Sequence, residues 1–305
     1  IYVVNILIYL KYKMYYPLVT KPIKFKEQNI NKDKVMKALK VCYENACFST
    51  MPYMYDHYNS EEAIDYTNSG NCISLSLFLK KYLKQNYNIN STLIPASIPN
   101  MYKKEGYLPI SHVALAIPKN NDEAFIADPA FYFREPILYD KKGNTGSIQS
   151  SNIYDDSLEE LNYNSKISLE DEHLHELQAI PKKTPYCKCN KITNPEDSWK
   201  YYLREVVDPD KSIGTFYINL QKPFISTTRL DSNNQCHMDK YIKINGDDIV
   251  IKEKNKELYN GPKDEIPSKL VTKLNNTIYP FLKENIEDVL KKSLDDKYYI
   301  SLSNT

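Results

Sequence analysis

The 305-residue chain is long enough to bury one large core or two modest ones, and its 40 basic against 39 acidic residues leave a net charge of +1. That balance removes the electrostatic ground for a nucleic-acid binder or a protein held at a membrane surface. The six cysteines, at 42, 47, 72, 187, 189 and 236, are too sparse for a secreted disulfide framework and fit a reducing, cytoplasmic setting.

In chain order, Ile1–Leu10 is apolar but ends at Lys11 and Lys13, which is too short to span a bilayer. No small-residue cleavage site follows it, and Met14 is a candidate start. A helix is expected over 33–47, capped by Asn31 or Asp33, with Val35, Leu39, Val41, Cys42 and Ala46 on its apolar side. Thr50–Tyr55 reads as a loop and Ser60–Asp65 as a short helical turn. The next helix, 72–86, is apolar nearly all round through Ile73, Leu75, Leu77, Phe78, Leu79 and Leu83, so it is expected at the centre of its domain. Ser91–Ser97 reads as a strand in which Pro95 marks an edge or a bulge, and 98–110 as a loop.

Ser111–Pro118 and Glu123–Asp128 flank the turn formers Lys119-Asn-Asn-Asp122 and read as a β-hairpin. A turn centred on Asn120 or Asn121 sets His112 opposite or nearly opposite Asp128, on one face. A one-residue slip would separate them. The polar stretch 140–194 reads as loops and insertions. Strands are expected at 215–220, 224–228, 240–244 and 248–252, and a long helix over 266–293 that Pro280 kinks or splits. The whole reads as an α+β protein, with a nucleophile-bearing helical part over 14–90, a β-rich part over 91–260 forming an antiparallel sheet or barrel, and a helical part over 261–305.

The chemistry collects on three residues. Cys72 sits at the expected N-terminus of the apolar helix, where the dipole favours a thiolate. His112 can take a thiol proton, and Asp128 can orient the imidazole and stabilise its cation. The backbone N–H at Cys72 is a natural oxyanion donor, with a second expected from the 50–57 loop or Asn71. Each residue alone has a plainer explanation: a small buried hydrophobe, a structural histidine, a strand end. Together they satisfy the roles and order of a Cys-His-Asp triad.

Gly70-x-Cys72-x-x-x-Ser76, then Ser111-His112-Val-Ala-Leu, then Phe125-Ile-Ala-Asp128-Pro129 resemble the transglutaminase-like (papain-like) superfamily, and within it most closely the arylamine N-acetyltransferases. The resemblance spans about residues 33–260. It implies a papain-like core, an acyl-enzyme thioester on Cys72, acetyl-CoA as donor and a small-molecule amine as acceptor. The nucleophile segment reads Asn68-Ser-Gly-Asn-Cys72 where that family has Arg-Gly-Gly-x-Cys, and Pro129-Ala-Phe-Tyr132 replaces its Val-Gly-Phe-Gly. Two other readings stand beside it: amide hydrolysis or transamidation, and a non-catalytic binding module. His173, His175, Cys187 and Cys189 are spaced too tightly within each pair to be taken as zinc ligands, so no metal is expected. Phe131, Tyr132 and Phe133 are core by default, although their place after Asp128 suits one of them to an acceptor pocket. The oligomeric state is open.

Overall fold

The computed structural model describes residues 18–19, 26–103, 112–154, 156–167, 175–181, 198–203, 206–207 and 222–292. The expectations for Ile1–Leu10, Met14 and a strand at 215–220 lie outside these residues. The first helix, α1 (Lys32–Asn45), opens where the Asn31 side chain accepts from the Lys34 N–H, and it buries Val35, Ala38, Leu39, Cys42 and Tyr43. Ala46 is its C-cap and Cys47 begins a strand, β1 (Cys47–Ser49), so the helix stops two residues short of its expected end. Thr50–Tyr55 is not a loop: Met51–Asp56 forms a short helix, α2. Pro52 lies in the first turn, where a proline costs no helical hydrogen bond, and Met51, Tyr53 and Met54 are buried.

Helix α3 (Ser60–Thr67) opens on a capping box between Asn59 and Glu62 and closes at Asn68 in the left-handed conformation. The two-residue strand β2 (Ser69–Gly70) then leads into α4 (Cys72–Tyr87), which Asn71 caps at the start and Asn88 ends. Seven residues of α4 are buried, Leu79 and Leu83 fully, which seats it at the centre as its sequence requires.

Eight strands form one curled antiparallel sheet. In chain order they are β3 (Thr92–Ser97), β4 (His112–Pro118), β5 (Glu123–Ala127), β6 (Ile137–Asp140), β7 (Thr145–Asn152), β8 (Ser157–Ile167), β9 (His175–Pro181) and β10 (Trp199–Tyr202). Their spatial order is β6-β5-β4-β3-β10-β9-β8-β7, and a bridge between Phe133 and Ser150 draws β7 towards the segment after β5. Pro95 is therefore in an interior strand and not at an edge. Only Ala96 and Ser97, beyond it, pair with β10, so a missing donor at Pro95 leaves that ladder intact. The polar stretch 140–194 likewise contains strands. In β7, Ile148 and Ser150 face inward while Thr145, Ser147 and Gln149 are exposed, an alternation built largely from hydroxyl and amide side chains that hydrophobicity alone does not reveal.

The second sheet is ordered β14-β13-β12-β11-β1-β2, where β11 is Phe224–Leu230, β12 Cys236–Asn245, β13 Asp248–Glu253 and β14 Lys256–Pro262. The charged, largely exposed β14 carried no strand signal in the sequence. Helices α5 (Ser268–Leu282) and α6 (Ile286–Lys291) close the described chain. Pro280 is held inside α5, and the break falls just after it at Lys283, in the left-handed conformation.

Three apolar clusters hold these layers. The first packs Val35 and Leu39 of α1 and Leu75, Leu79 and Leu83 of α4 against Val113, Leu115 and Ile117 of β4. The second lies on the opposite face of the sheet, with Ala114, Ala116, Ile126, Phe133, Trp199 and Tyr201. The third joins Ile242, Ile244, Ile249 and Ile251 to Leu274, Ile278 and Leu282. Burial of this kind stabilises by roughly 25 cal/mol per Å² of apolar surface.

Candidate active site

The site is built where the start of α4 meets the ends of β4 and β5. Cys72 is the first residue of α4. Asn71 accepts from the N–H groups of Ile73 and Ser74 through Oδ1, at 3.0 and 3.2 Å. Its own N–H donates to Tyr53 Oη at 3.0 Å. Asn71 Oδ1 thus takes the N–H groups of Ile73 and Ser74 and not that of Cys72, which stands at the first position of the helix. Asn71 cannot supply a second oxyanion donor from its backbone, because Tyr53 takes it. Gly70 precedes this turn, and a Cβ there would lie 2.3 Å from Ser74 Oγ and 2.8 Å from Tyr53 Oη, so only glycine fits.

The hairpin of β4 and β5 pairs Leu115 with Ala127 and Pro118 with Ala124. Extended by this register, the residue opposite Asp128 is Ala114. His112 is thus its diagonal neighbour on the same face, the near-opposition given by a turn centred on Asn121, where a turn centred on Asn120 would have set the two directly opposite. Diagonal neighbours remain within reach of long side chains. His112 Nε2 lies 2.7 Å from Asp128 Oδ2, with both side chains buried. With Nε2 so engaged, Nδ1 is the ring nitrogen left for the Cys72 thiol, whose charge adds to that of Asp128 in favouring the imidazolium.

Burial opposes protonation of the imidazole, but the Asp128 and Cys72 charges and their hydrogen bonds outweigh it and raise the His112 pKa to about 10. Tyr201 Oη donates to Asp128 Oδ2 at 2.8 Å. Burial and then the Asp128 charge hold the Tyr201 hydroxyl well above the ordinary phenol range, so it remains a donor. Asp128 Oδ1 has no hydrogen-bond partner among the described residues.

Phe131 stands edge-on to the His112 ring with centroids 5.1 Å apart, and it contacts Trp199 and Tyr102 in turn. Phe131 is half-buried, while Tyr132 and Phe133 are core. Cys72 is also partly accessible, whereas Cys42, Cys47 and Cys236 are buried. Burial pushes the thiols of all three up, that of Cys236 to about 12.

The structure therefore joins His112 to Asp128 directly, and the charge of Cys72 acts on the same imidazole. The sequence did not single out Tyr201 or Tyr53 for the site. Tyr201 carried only an aromatic signal, in a strand that reaches Asp128 through the sheet from 73 residues away. The side chains of His173, His175, Cys187 and Cys189 lie outside the described residues. Among the described residues, no group of three or more His, Cys, Asp or Glu is arranged to hold a metal ion. Among them, too, no helix is long and apolar enough to cross a membrane.

No protein-family model and no curated protein matches the chain. Solved structures do. An arylamine N-acetyltransferase from Bacillus cereus, described as having a Cys-His-Glu catalytic triad, aligns over 82% of this chain and 91% of its own, with a TM-score of 0.50 and 13% identity. Arylamine N-acetyltransferase C from Bacillus anthracis aligns over 82% and 92%, with a TM-score of 0.48 and 13% identity. The Mycobacterium marinum arylamine N-acetyltransferase in complex with CoA aligns over 89% and 92%, with a TM-score of 0.46 and 12% identity. The fold is that of the arylamine N-acetyltransferases.

Proposed function

We propose that this chain is a cysteine-dependent acyltransferase of the arylamine N-acetyltransferase kind. The observation that carries the reading is the accessible Cys72 at the start of α4, beside an imidazole whose Nε2 is held at 2.7 Å by the buried Asp128. Cys72 would attack the carbonyl of an acyl donor as the thiolate, and the Cys72 N–H would receive the developing oxyanion. As the donor's bond to its leaving group breaks, the His112 imidazolium gives that group its proton. An amine then attacks the Cys72 thioester, His112 takes the amine's proton, and Cys72 leaves as thiolate. Asp128 keeps the imidazole in the orientation both transfers need.

Acetyl-CoA is the donor the resemblance implies, and a small amine the acceptor. Cys72 is reachable by a thioester carbonyl. The glycine-bearing segment associated with admitting coenzyme A is replaced here by Pro129-Ala-Phe131 and the buried Tyr132. The same substitution favours the second reading, hydrolysis or transamidation of an amide through the same thioester. A cytoplasmic setting and the division at about 90 and 260 belong to the same proposal.

The test is exposure of the protein to acetyl-CoA followed by peptide mass spectrometry. Acetylation of Cys72 that an aromatic amine discharges supports the transferase. An unmodified Cys72 together with turnover of a glutamine amide supports the amidase. An inert Cys72 in both assays overturns the enzymatic reading.

A further inference from the structure

Tyr53 lies beneath the nucleophile, on α2, and is 1% exposed. Three polar partners surround its hydroxyl. The Asn71 N–H donates to it at 3.0 Å, Ser74 Oγ lies 2.5 Å away, and Ser60 Oγ 3.3 Å away. A phenol has one hydrogen to give and can accept besides. Ser74 Oγ gives its own hydrogen to the Ser60 carbonyl at 2.7 Å, so the short contact uses the Tyr53 hydrogen. Ser60 Oγ in turn donates to Asn71 Oδ1 at 3.3 Å. The directions of the principal bonds follow from donor and acceptor counts alone.

The consequence concerns a single peptide plane. Asn71 is tied at its N–H by Tyr53 and at its carbonyl by Leu75, whose N–H donates to it at 3.0 Å. Fixing both ends of Asn71 fixes the plane that joins it to Cys72, and with it the direction of the Cys72 N–H. Gly70 admits this approach because a side chain there would collide with both Ser74 and Tyr53. No cationic side chain stands in the segment Asn68-Ser-Gly-Asn71. The hydroxyl cluster does the fixing instead.

We propose that Tyr53 is a positioning residue that aims the Cys72 N–H at the oxyanion of the acyl-transfer step, through its bond from Asn71 and its donation to Ser74. The proposal rests on the acyltransferase reading above. Burial, only partly offset by the hydrogen bonds shared with Asn71, Ser60 and Ser74, raises the Tyr53 pKa to about 12, so the hydroxyl keeps its hydrogen across the working pH range.

Two reactions of the same thiol separate this role from a general structural one. Alkylation by iodoacetamide needs the thiolate but builds no oxyanion. Acylation by p-nitrophenyl acetate needs both. Tyr53→Phe keeps the ring and removes only the hydroxyl. It is expected to slow acylation of Cys72 by roughly 10- to 100-fold while alkylation changes by less than about twofold. Ser74→Ala, which frees the phenol to turn but leaves the Asn71 bond, is expected to give a smaller loss in acylation alone.

Should Tyr53→Phe not fold, Ser74→Ala carries the test, and a selective loss of acylation again supports the proposal. Acylation equal to that of the unaltered protein, or equal losses in both reactions, overturns the Tyr53 assignment and leaves the acyltransferase reading standing. Failure of the unaltered protein to acylate at all overturns both.

Discussion

Tyr201 Oη donates at 2.8 Å to Asp128 Oδ2, the same oxygen that faces His112 Nε2 at 2.7 Å. The carboxylate is thus held from two strands, β4 and β10, that are not neighbours in the sheet. With Asp128 Oδ1 lacking a partner among the described residues, the Tyr201 hydrogen is the other constraint they place on where the carboxylate points. Tyr201→Phe should destabilise the protein by about 1.5–3 kcal/mol, as expected for a hydrogen bond to a charged group. Single-turnover acylation of Cys72 should slow by roughly 3- to 10-fold, in keeping with modest mispositioning of the imidazole. Urea titration and stopped-flow measurement check the two effects separately, and an acylation rate equal to the unaltered protein's would remove Tyr201 from the site.

The raised His112 pKa makes stability depend on pH with a definite sign. Because the folded value, about 10, lies above the ordinary 6.5, the imidazolium's contribution is fully present below about 6.5 and is lost as pH rises towards 10. Urea midpoints should therefore fall across that window. Asp128→Asn removes the largest of the causes that raise the pKa, so its midpoints should start lower and change less with pH. Parallel curves for the two proteins would contradict the ion-pair account. Cys72→Ala should also lower the His112 pKa, because the thiolate charge is the next cause. Imidazole proton resonances followed by NMR would read this directly.

Cysteine accessibility yields a third prediction. In the native protein iodoacetamide should modify Cys72 well before Cys42, Cys47 or Cys236, which are buried and whose thiols are pushed up by burial. His112→Ala should slow labelling of Cys72 by about tenfold or more and leave the other three unchanged. Peptide-level mass spectrometry separates the sites, and a Cys72 rate indifferent to His112 would dissolve the pairing.

Gly70→Ala tests the crowding behind the nucleophile. The new methyl would lie 2.4 Å from Ser74 Cβ and 2.8 Å from Tyr53 Oη, and two packed elements would have to part. A loss of about 2–4 kcal/mol is expected by urea unfolding, in line with overpacking at a strained backbone position. A midpoint equal to the unaltered protein's would show that the turn yields easily.

Much of the frame was legible because its signals are local. The nearly all-apolar run from Ile73 to Leu83 announces α4, and the turn formers Lys119–Asp122 between two apolar runs announce the hairpin and hence the shared face of His112 and Asp128. The choice between direct opposition and a two-residue offset, that is between turn centres at Asn120 and Asn121, stayed open in the sequence, because turn formers constrain register without fixing loop length. Strand β7 escaped notice because it buries Ser150 and Ser151, whose hydroxyls are hydrogen-bonded, where hydrophobicity gives no signal. Helix α2 was hidden by Pro52, whose usual meaning as a breaker reverses in a first turn. The partners Tyr53 and Tyr201 were out of reach for another reason. They act through contacts 18 and 73 residues away in the chain, and no local pattern encodes which of many tyrosines will arrive.

The short strand β1 pairs in parallel with β2, immediately ahead of the nucleophile, and in antiparallel with β11. Ser49 and Thr50 are fastened to Lys222 and Phe224, more than 170 residues downstream, by four further hydrogen bonds. During synthesis, the segment carrying Cys72 leaves the ribosome long before the strand that completes its seat. At about 5–20 residues per second, a nascent chain spends several seconds or more with its thiol exposed and its imidazole partner emerging, yet without that anchor. Completion of the seat beneath Cys72 is therefore a late event in the life of each molecule, one that waits for the far half of the chain and is denied to fragments ending before β11.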